Sequence, residues 1–155
     1  MENFETVITK QMRDAIGVES DPVINDVEKG AIVKFAQAIE DGNPVFNNEN
    51  IARQTRFGGL IAPPTFHRSM KVGEANPTVN SPYTANLDGG SEWEYFEPVR
   101  VGDQISVTQY LSDISERRGS LGHMLFMVRE TKYTNQFGNV VALQRTTGIS
   151  YNPSN

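Results

Sequence analysis

The sequence predicts an α+β domain in which one curved antiparallel sheet is covered by a helix. Helical periodicity is concentrated in the first half of the chain, whereas strand-like alternation dominates from Thr84 onward. Separate runs of helices and strands are typical of α+β domains and not of repeated βαβ units. The length of 155 residues suits one domain with a substantial core, so a single domain over residues 1–155 is expected.

The first half of the chain carries several helical patterns. Residues 4–16 have apolar side chains at helical spacing, which predicts an N-terminal helix at about 4–16. Residues 22–27 read as a short strand. Residues 29–40 place an apolar stripe on one face and end at Asp-Gly-Asn-Pro, so this helix is the best cover for the sheet. Shorter helices are expected around 48–55 and after the paired prolines 63–64.

The second half of the chain predicts about four long antiparallel strands. Val, Ile, Tyr, Phe and Thr alternate with polar residues between turn sequences, which is the pattern of half-buried strands. Gly138 provides the positive φ that a tight hairpin turn needs before the last strand. The polar segment 73–83 predicts a surface linker. The strand segments are residues 87–99, 103–116, 122–134 and 139–151.

Composition excludes several classes of function. The chain has 14 Lys and Arg residues against 19 Asp and Glu residues, and a net charge of −5 argues against a general nucleic-acid binder. No apolar run approaches the roughly 18–20 residues that cross a bilayer, and the N-terminus lacks the apolar core of a signal peptide. With no cysteine and two histidines, thiolate zinc sites are excluded and a histidine metal site is hard to build. We therefore expect a cytoplasmic protein without a metal or redox cofactor.

Four stretches in order carry a resemblance to a known family: VKFAQAIEDGNPVFNNENIAR, GGLIAPPTF, PVRVGDQISV and RETKYTNQFGNVVALQRTTGISY. Together, over about residues 20–152, they resemble the MaoC-like acyl-CoA hydratases and dehydratases. Within this family, the chain most resembles the N-terminal, dehydratase-like half of the two-domain members. That half also occurs as the separate, non-catalytic subunit of heterodimeric hydroxyacyl-thioester dehydratases. The resemblance implies the hot-dog fold, a curved antiparallel sheet wrapped around a central helix. It also implies acyl-CoA as substrate and a dimer with another hot-dog chain.

The sequence departs from the family where the chemistry is done. Competent members carry Gly-Asp-x-Asn-Pro-apolar-His, whose aspartate and histidine together hold the reacting water. Here Asp41 matches the aspartate, whereas Phe46 stands at the histidine position. A carboxylate can take a proton from water, but the proton delivered to the substrate needs an acid such as imidazole. Phe46 therefore weighs against independent activity, because losing one member of a cooperating pair costs orders of magnitude in rate.

A second departure concerns the turn that polarises the thioester carbonyl. Active members of the family show Ala-His-Gly there, and the backbone N–H groups of that turn bind the carbonyl oxygen. This chain reads Ala62-Pro63-Pro64. Proline has no N–H, so Pro64 removes at least one donor. The same Ala-Pro-Pro-Thr-Phe stretch is typical of the non-catalytic halves of the family.

Each candidate residue also has an ordinary structural interpretation. Asp41 and Asn43 are suited to a helix-terminating turn. Phe46 is expected in the core, or in a tunnel where it packs on an acyl chain. His67 is expected to be exposed or to cap a helix, with a relocated general base as the alternative. The remaining substrate-binding candidates are Leu60, Ala62, Pro63, Pro64, Phe66 and Asp88.

Three functional hypotheses follow from the resemblance. The first is a subunit of an (R)-specific enoyl-CoA hydratase or 3-hydroxyacyl-CoA dehydratase, which shapes the acyl-CoA pocket while a partner chain supplies the Asp/His pair. The second is a self-sufficient homodimeric hydratase or thioesterase that uses Asp41 and His67. The third is a non-catalytic module that binds acyl-CoA or lipid. In none of them is nucleic acid or a membrane a partner.

Overall fold

The computed structural model describes residues 5–74 and 77–153. The N-terminal helix α1 lies inside the segment 4–16, of which residue 4 is outside the described part of the chain, as are residues 75 and 76 of the predicted linker. The helices are α1 (Lys10–Asp14), α2 (Lys29–Ala38), α3 (Pro44–Asn47), α4 (Glu49–Arg53) and a 3₁₀ helix (Pro64–Ser69). The strands are β1 (Val23–Asp26), β2 (Ala85–Tyr95), β3 (Gln104–Gly119), β4 (Gly122–Thr134) and β5 (Val140–Tyr151).

The five strands form one antiparallel sheet in the order β1-β3-β4-β5-β2. The predicted hairpin joins β4 to β5, and Gly138 has a φ of 83° there. The amide of Asn135 donates to the carbonyl of Asn139 at 2.9 Å, which closes this turn. Runs of short helices followed by long antiparallel strands confirm the α+β prediction.

Helix α2 packs on one face of the sheet through Ile32 and Phe35. Ile32 is fully buried in the main core, and Phe35 packs against the same cluster. These two side chains face residues of three neighbouring strands, β3, β4 and β5. The sheet residues of this core are Ile105, Val107, Tyr133, Val141 and Ala142. The prediction that this helix covers the apolar face of the sheet is therefore confirmed.

A second apolar cluster extends the core toward the far ends of β3 and β4. Met12 of α1 packs there with Leu111 and Leu125. α1 is short, and Thr9 caps it by accepting a hydrogen bond from the amide of Met12. Two helices thus pack on the sheet at separate places along the strands. In the described ranges, no helix is long and apolar enough to cross a membrane.

Candidate functional site

The loop that follows α2 leaves the helix through a left-handed residue. The amide of Glu40 donates to the carbonyl of Gln37, and the amide of Asp41 donates to the carbonyl of Ala36. These two bonds are those of a Schellman motif, in which a left-handed residue ends the helix. Glu40 has a φ of 56° and occupies the position that usually belongs to glycine. The helix ends at Ala38, two residues earlier than predicted, because Glu40 and not Gly42 makes the turn.

Asp41 and Asn43 hold the loop through their own side chains. The Asp41 Oδ1 atom accepts a hydrogen bond from the amide of Asn43 at 3.0 Å. The Asn43 Oδ1 atom accepts one from the amide of Val45 at 3.2 Å, which caps α3, while Pro44 occupies its first position. Asp41 is half-buried, with one carboxylate oxygen used by the turn. The turn role expected for both residues is therefore present in the structure.

Phe46 is a core residue. It is 7% exposed and forms a small apolar cluster with Ala36 of α2 and Ile61. The amide of Ile61 donates to the carbonyl of Val45 at 3.2 Å, so the backbone also joins the two segments. The loop that carries Asp41 and the turn at residues 60–66 are therefore one packed unit.

The turn at residues 60–66 is buried on one side and fixed to the β2–β3 connection. The amide of Ala62 donates to the carbonyl of Val99 at 2.8 Å, and the carbonyl of Leu60 accepts from the amide of Val101. Pro64 is exposed and is the first residue of the 3₁₀ helix. At the start of this helix, the amide of Phe66 donates to the carbonyl of Pro63. The buried residues of the turn are Leu60, Ile61, Ala62, Pro63 and Phe66.

His67 is buried, at 3% exposure, and does not take the exposed or capping position that the sequence predicts. Its Nδ1 atom lies 2.8 Å from the carbonyl oxygen of Pro64, so Nδ1 carries the proton and Nε2 is left bare. Burial lowers the pKa of the imidazole, although the bond to Pro64 opposes this. Three aromatic rings lie 5.0–6.0 Å from the imidazole: Trp93, Tyr95 and Tyr133. Its single side-chain hydrogen bond within the described ranges is the one to Pro64, so nothing couples it to Asp41.

Asp88 lies apart from the loop and the turn, on the edge strand β2. It is exposed, pairs with Gly148 across the strands, and its Oδ1 atom accepts from the amide of Gly90 at a β-bulge. This bond gives Asp88 a role in the bulge itself. The structure thus brings together the predicted residues between 41 and 66 but leaves Asp88 on the sheet edge.

An apolar groove of about 480 Å³ runs between α2 and the 3₁₀ helix. The rings of Phe35 and Phe66 meet edge to face in its wall, with centroids 5.4 Å apart. Ala38 lines the groove, and Asp41 follows it by three residues. The sequence predicts that Phe66 and the helix α2 line the pocket. It does not predict Met70 and Ser69, which also line the groove. The complete lining is Asn25, Asp26, Ala31, Lys34, Phe35, Ala38, Phe66, Ser69 and Met70.

A five-stranded antiparallel sheet around a central helix, with an Asp-Gly-Asn-Pro loop after that helix, defines a hot-dog protein of the dehydratase class. The sequence model of the FAS1-like dehydratase domain region matches residues 14–144. The chain therefore belongs to this family of MaoC-like hot-dog proteins, as the sequence predicts.

Curated relatives and solved structures agree with this assignment. A UPF0336 protein of Streptomyces avermitilis is 31% identical over 100 residues, which are 61% of this chain and 67% of that protein. A probable enoyl-CoA hydratase alpha subunit of Thermomonospora curvata is 28% identical over 137 residues, 77% of this chain and 43% of the subunit.

Two solved structures share the fold. The MaoC-like dehydratase of Rhodospirillum rubrum is 25% identical with a TM-score of 0.70, over 93% of this chain and 98% of that chain. A chain of the ChsH1–ChsH2 complex from Mycobacterium tuberculosis is 20% identical with a TM-score of 0.75, over 88% of this chain and 86% of that chain. At that identity, the second likeness concerns the fold alone.

Proposed function

We propose that this chain is the acyl-binding subunit of an (R)-specific enoyl-CoA hydratase or 3-hydroxyacyl-CoA dehydratase. In this proposal, a partner hot-dog chain supplies the aspartate and histidine that move the protons. The observation that carries the proposal is the burial of Phe46, at the position of the family's acid/base histidine, in a cluster with Ala36 and Ile61. The turn of the active-site loop is kept, but a buried apolar side chain stands in the place of its proton-transferring histidine.

The groove along α2 is suited to an acyl group. Its wall is mainly apolar, and burial of each methylene in such a wall contributes about 0.8 kcal/mol. Asp41 follows the groove residue Ala38 by three positions, so the loop lies near one end of this surface. Phe46 faces the core, so the acyl-contacting aromatic residues in this proposal are Phe35 and Phe66.

The steps of hydration that this chain cannot perform define what the partner supplies. Hydration adds the oxygen of water to the β-carbon, and the electrons of the double bond move toward the thioester carbonyl before a proton is added at the α-carbon. The prolines 63 and 64 offer no N–H to the carbonyl oxygen, and His67 is enclosed by aromatic rings. The carbonyl donors and the acid/base histidine therefore come from the partner.

The edge strand β2 supports pairing with a second chain. All of its residues except Ala85 and Trp93 are exposed, and β5 is its one neighbour in the sheet of the described residues. A long exposed edge is a template for pairing with another strand. The relative named an alpha subunit and the two-protein ChsH1–ChsH2 complex favour a different hot-dog chain as partner.

The test is to purify the chain alone and together with the hot-dog chain of its genomic neighbourhood. Loss of the enoyl-thioester absorbance of crotonyl-CoA and of a longer enoyl-CoA would be followed. We expect hydration by the pair and none above background by the isolated chain.

Two variants make this experiment decisive. Asp41→Ala in the isolated chain is compared with Asp21→Ala, which removes an exposed carboxylate outside the loop. Turnover by the isolated chain that survives Asp41→Ala contradicts the proposal. Binding of acyl-CoA without turnover in any pairing contradicts it as well, and identifies a binding module instead.

A further inference from the structure

A second cavity lies at the opposite end of α2 from Asp41, and its walls are basic. It encloses about 240 Å³ and is lined by the side chains of Lys29, Arg53 and Arg100 together with the segment 57–60. Glu49 is the one carboxylate among the lining residues that the structure describes, so the cavity carries an excess of two positive charges. This excess is local, because the chain as a whole has a net charge of −5.

One of the three cations, Arg100, is bonded to the glycine turn at residues 57–60. Arg100 donates to the carbonyl of Phe57, and the guanidinium of Arg56 lies 4.9 Å above the centre of the Phe57 ring. Gly58 has a φ of 69°, and a side chain at Gly59 would meet nothing within 4 Å. The backbone of this turn is therefore open to a group inside the cavity.

Two backbone donors of this turn have no acceptor. Within residues 5–74 and 77–153, the amides of Gly58 and Ile61 bond to Thr55 and Val45, but those of Gly59 and Leu60 bond to no group. Consecutive free N–H groups in a turn bind anions, and arginine and lysine side chains beside them add charge-assisted donors. The donors and the cations point to the same kind of ligand.

Glu49 occupies the place that such a ligand would take. Lys29 and Arg53 both donate to its carboxylate, with Arg53 Nη2 at 2.5 Å from Oε1. Lysine and arginine side chains that converge on one small anion form the arrangement that also binds a phosphoryl group. The side chain of Glu49 is 34% accessible to solvent.

We propose that this cavity binds a phosphate group of coenzyme A. The identity of the ligand rests on the proposed function, whereas the anion site does not. A cavity of this size takes a phosphoryl group, whereas a carrier protein would need an extended basic surface.

Direct binding tests the site without any turnover. Free coenzyme A, dephospho-coenzyme A and adenosine 3′,5′-bisphosphate are titrated into the full chain by calorimetry at low salt. We expect coenzyme A to bind and the double variant Lys29→Gln/Arg53→Gln to weaken it roughly tenfold or more. The matched control is Lys10→Gln/Arg13→Gln on α1, which removes the same two charges from another exposed helix and leaves the affinity unchanged.

Glu49→Gln separates a ligand site from a structural ion pair. It frees Lys29 and Arg53 and removes the competing negative charge, so coenzyme A is expected to bind roughly threefold to tenfold more tightly. If these ion pairs only hold α2 to α4, Glu49→Gln lowers stability and leaves the affinity for coenzyme A unchanged, which overturns the proposal. Equal weakening by the cavity variant and the α1 control also overturns it.

Comparison of ligands shows which phosphate group the cavity binds and which kind of molecule carries it. Weaker binding of dephospho-coenzyme A than of coenzyme A supports a contact to the 3′-phosphate, and equal binding supports a contact to the diphosphate. If an acyl carrier protein binds through these residues while coenzyme A does not, the coenzyme A assignment is wrong. An active complex whose coenzyme A affinity is insensitive to the cavity variants refutes this site and leaves the proposed function standing.

Discussion

The imidazole of His67 meets the ring of Tyr133 edge to face, with the two ring centroids 5.0 Å apart. His67 comes from the 3₁₀ helix and Tyr133 from the middle of the core sheet, so this contact ties the turn to the sheet. Burial also raises the pKa of Tyr133 to about 12, which keeps its hydroxyl neutral. Both polar side chains are therefore uncharged members of an otherwise aromatic cluster.

This burial predicts a loss of stability in mild acid. Folding lowers the pKa of His67 from its ordinary value of 6.5, so the unfolded chain binds a proton more readily than the folded one. The titration of His67 leaves the free energy of unfolding unchanged above about pH 7.5 and lowers it as the pH drops below 6.5. His67→Phe removes the titrating group, so its urea midpoint is expected to fall less between pH 8 and pH 5 than that of the wild type.

The control is His123→Gln, which removes the other histidine and keeps the acid sensitivity that His67 causes. A wild type and a His67→Phe variant that lose the same stability between these pH values would show that His67 is not the titrating group.

Phe46 offers a direct test of its core position. Phe46→Ala leaves a cavity between α2 and the turn at residue 61 and is expected to lower the free energy of unfolding by about 3–5 kcal/mol. Phe46→Leu keeps most of the apolar volume and is expected to cost less than about 1.5 kcal/mol. Urea denaturation of both variants provides the measurement. A cost below about 1 kcal/mol for Phe46→Ala would place this side chain outside the core.

The elements that the sequence predicted well are those governed by local rules. The alternation in residues 103–116 and 122–134 sets β3 and β4, and Gly138 sets the hairpin before β5. The stripe of Ile32 and Phe35 predicts the face of α2 that is buried, because its period is that of a helix. Local pattern was therefore sufficient for the strands and the central helix.

The features that could not be predicted depend on residues far apart in the chain. Phe66 and His67 are adjacent but both buried, because the 3₁₀ helix lies between α2 on one side and the aromatic residues of β2 and β4 on the other. The sequence pattern of this short segment gives no sign that both residues are buried. Likewise, Lys29, Arg53 and Arg100 meet through the fold, and no local pattern relates them.

The Schellman turn before Asp41 predicts that one substitution stabilises the protein. Glu40 holds a left-handed conformation that costs a residue with a Cβ atom about 1 kcal/mol. Glu40→Gly is therefore expected to raise the free energy of unfolding by about 0.5–1 kcal/mol, whereas Glu40→Ala, which keeps a Cβ atom, changes it little. Thermal and urea unfolding would measure both. Destabilisation by Glu40→Gly would show that the Glu40 side chain holds the loop.

The groove along α2 predicts a dependence on acyl-chain length. Ala38→Phe fills part of the groove, and exclusion of two methylenes at about 0.8 kcal/mol each corresponds to roughly a tenfold loss of affinity. We therefore expect decanoyl-CoA to bind more weakly and butyryl-CoA to bind as before. The neighbouring Gln37→Phe adds the same ring outside the groove and serves as control. Equal effects on both acyl chains would place the acyl group elsewhere.

The N-terminal segment is held by a nearly buried carboxylate on β3. Glu116 accepts hydrogen bonds from the hydroxyl of Thr6 and the amide of Val7, both at 2.7 Å, and its Oε1 atom lies 3.6 Å from Nε2 of His123. The other nitrogen of His123 bonds to the hydroxyl of Tyr83 at 2.8 Å, so one cluster fixes two peripheral segments to the sheet.

Removal of this carboxylate is expected to open the N-terminal segment without unfolding the domain. Glu116→Ala deletes a charged acceptor worth about 1.5–3 kcal/mol to its donors. The amide of Val7 should then exchange its hydrogen roughly tenfold faster or more, while amides in the middle of β4 keep their protection. Glu5→Ala removes an exposed carboxylate from the same segment and should leave the exchange unchanged. Unaltered exchange of Val7 in Glu116→Ala would mean that apolar contacts of Val7 and Ile8 hold the segment instead.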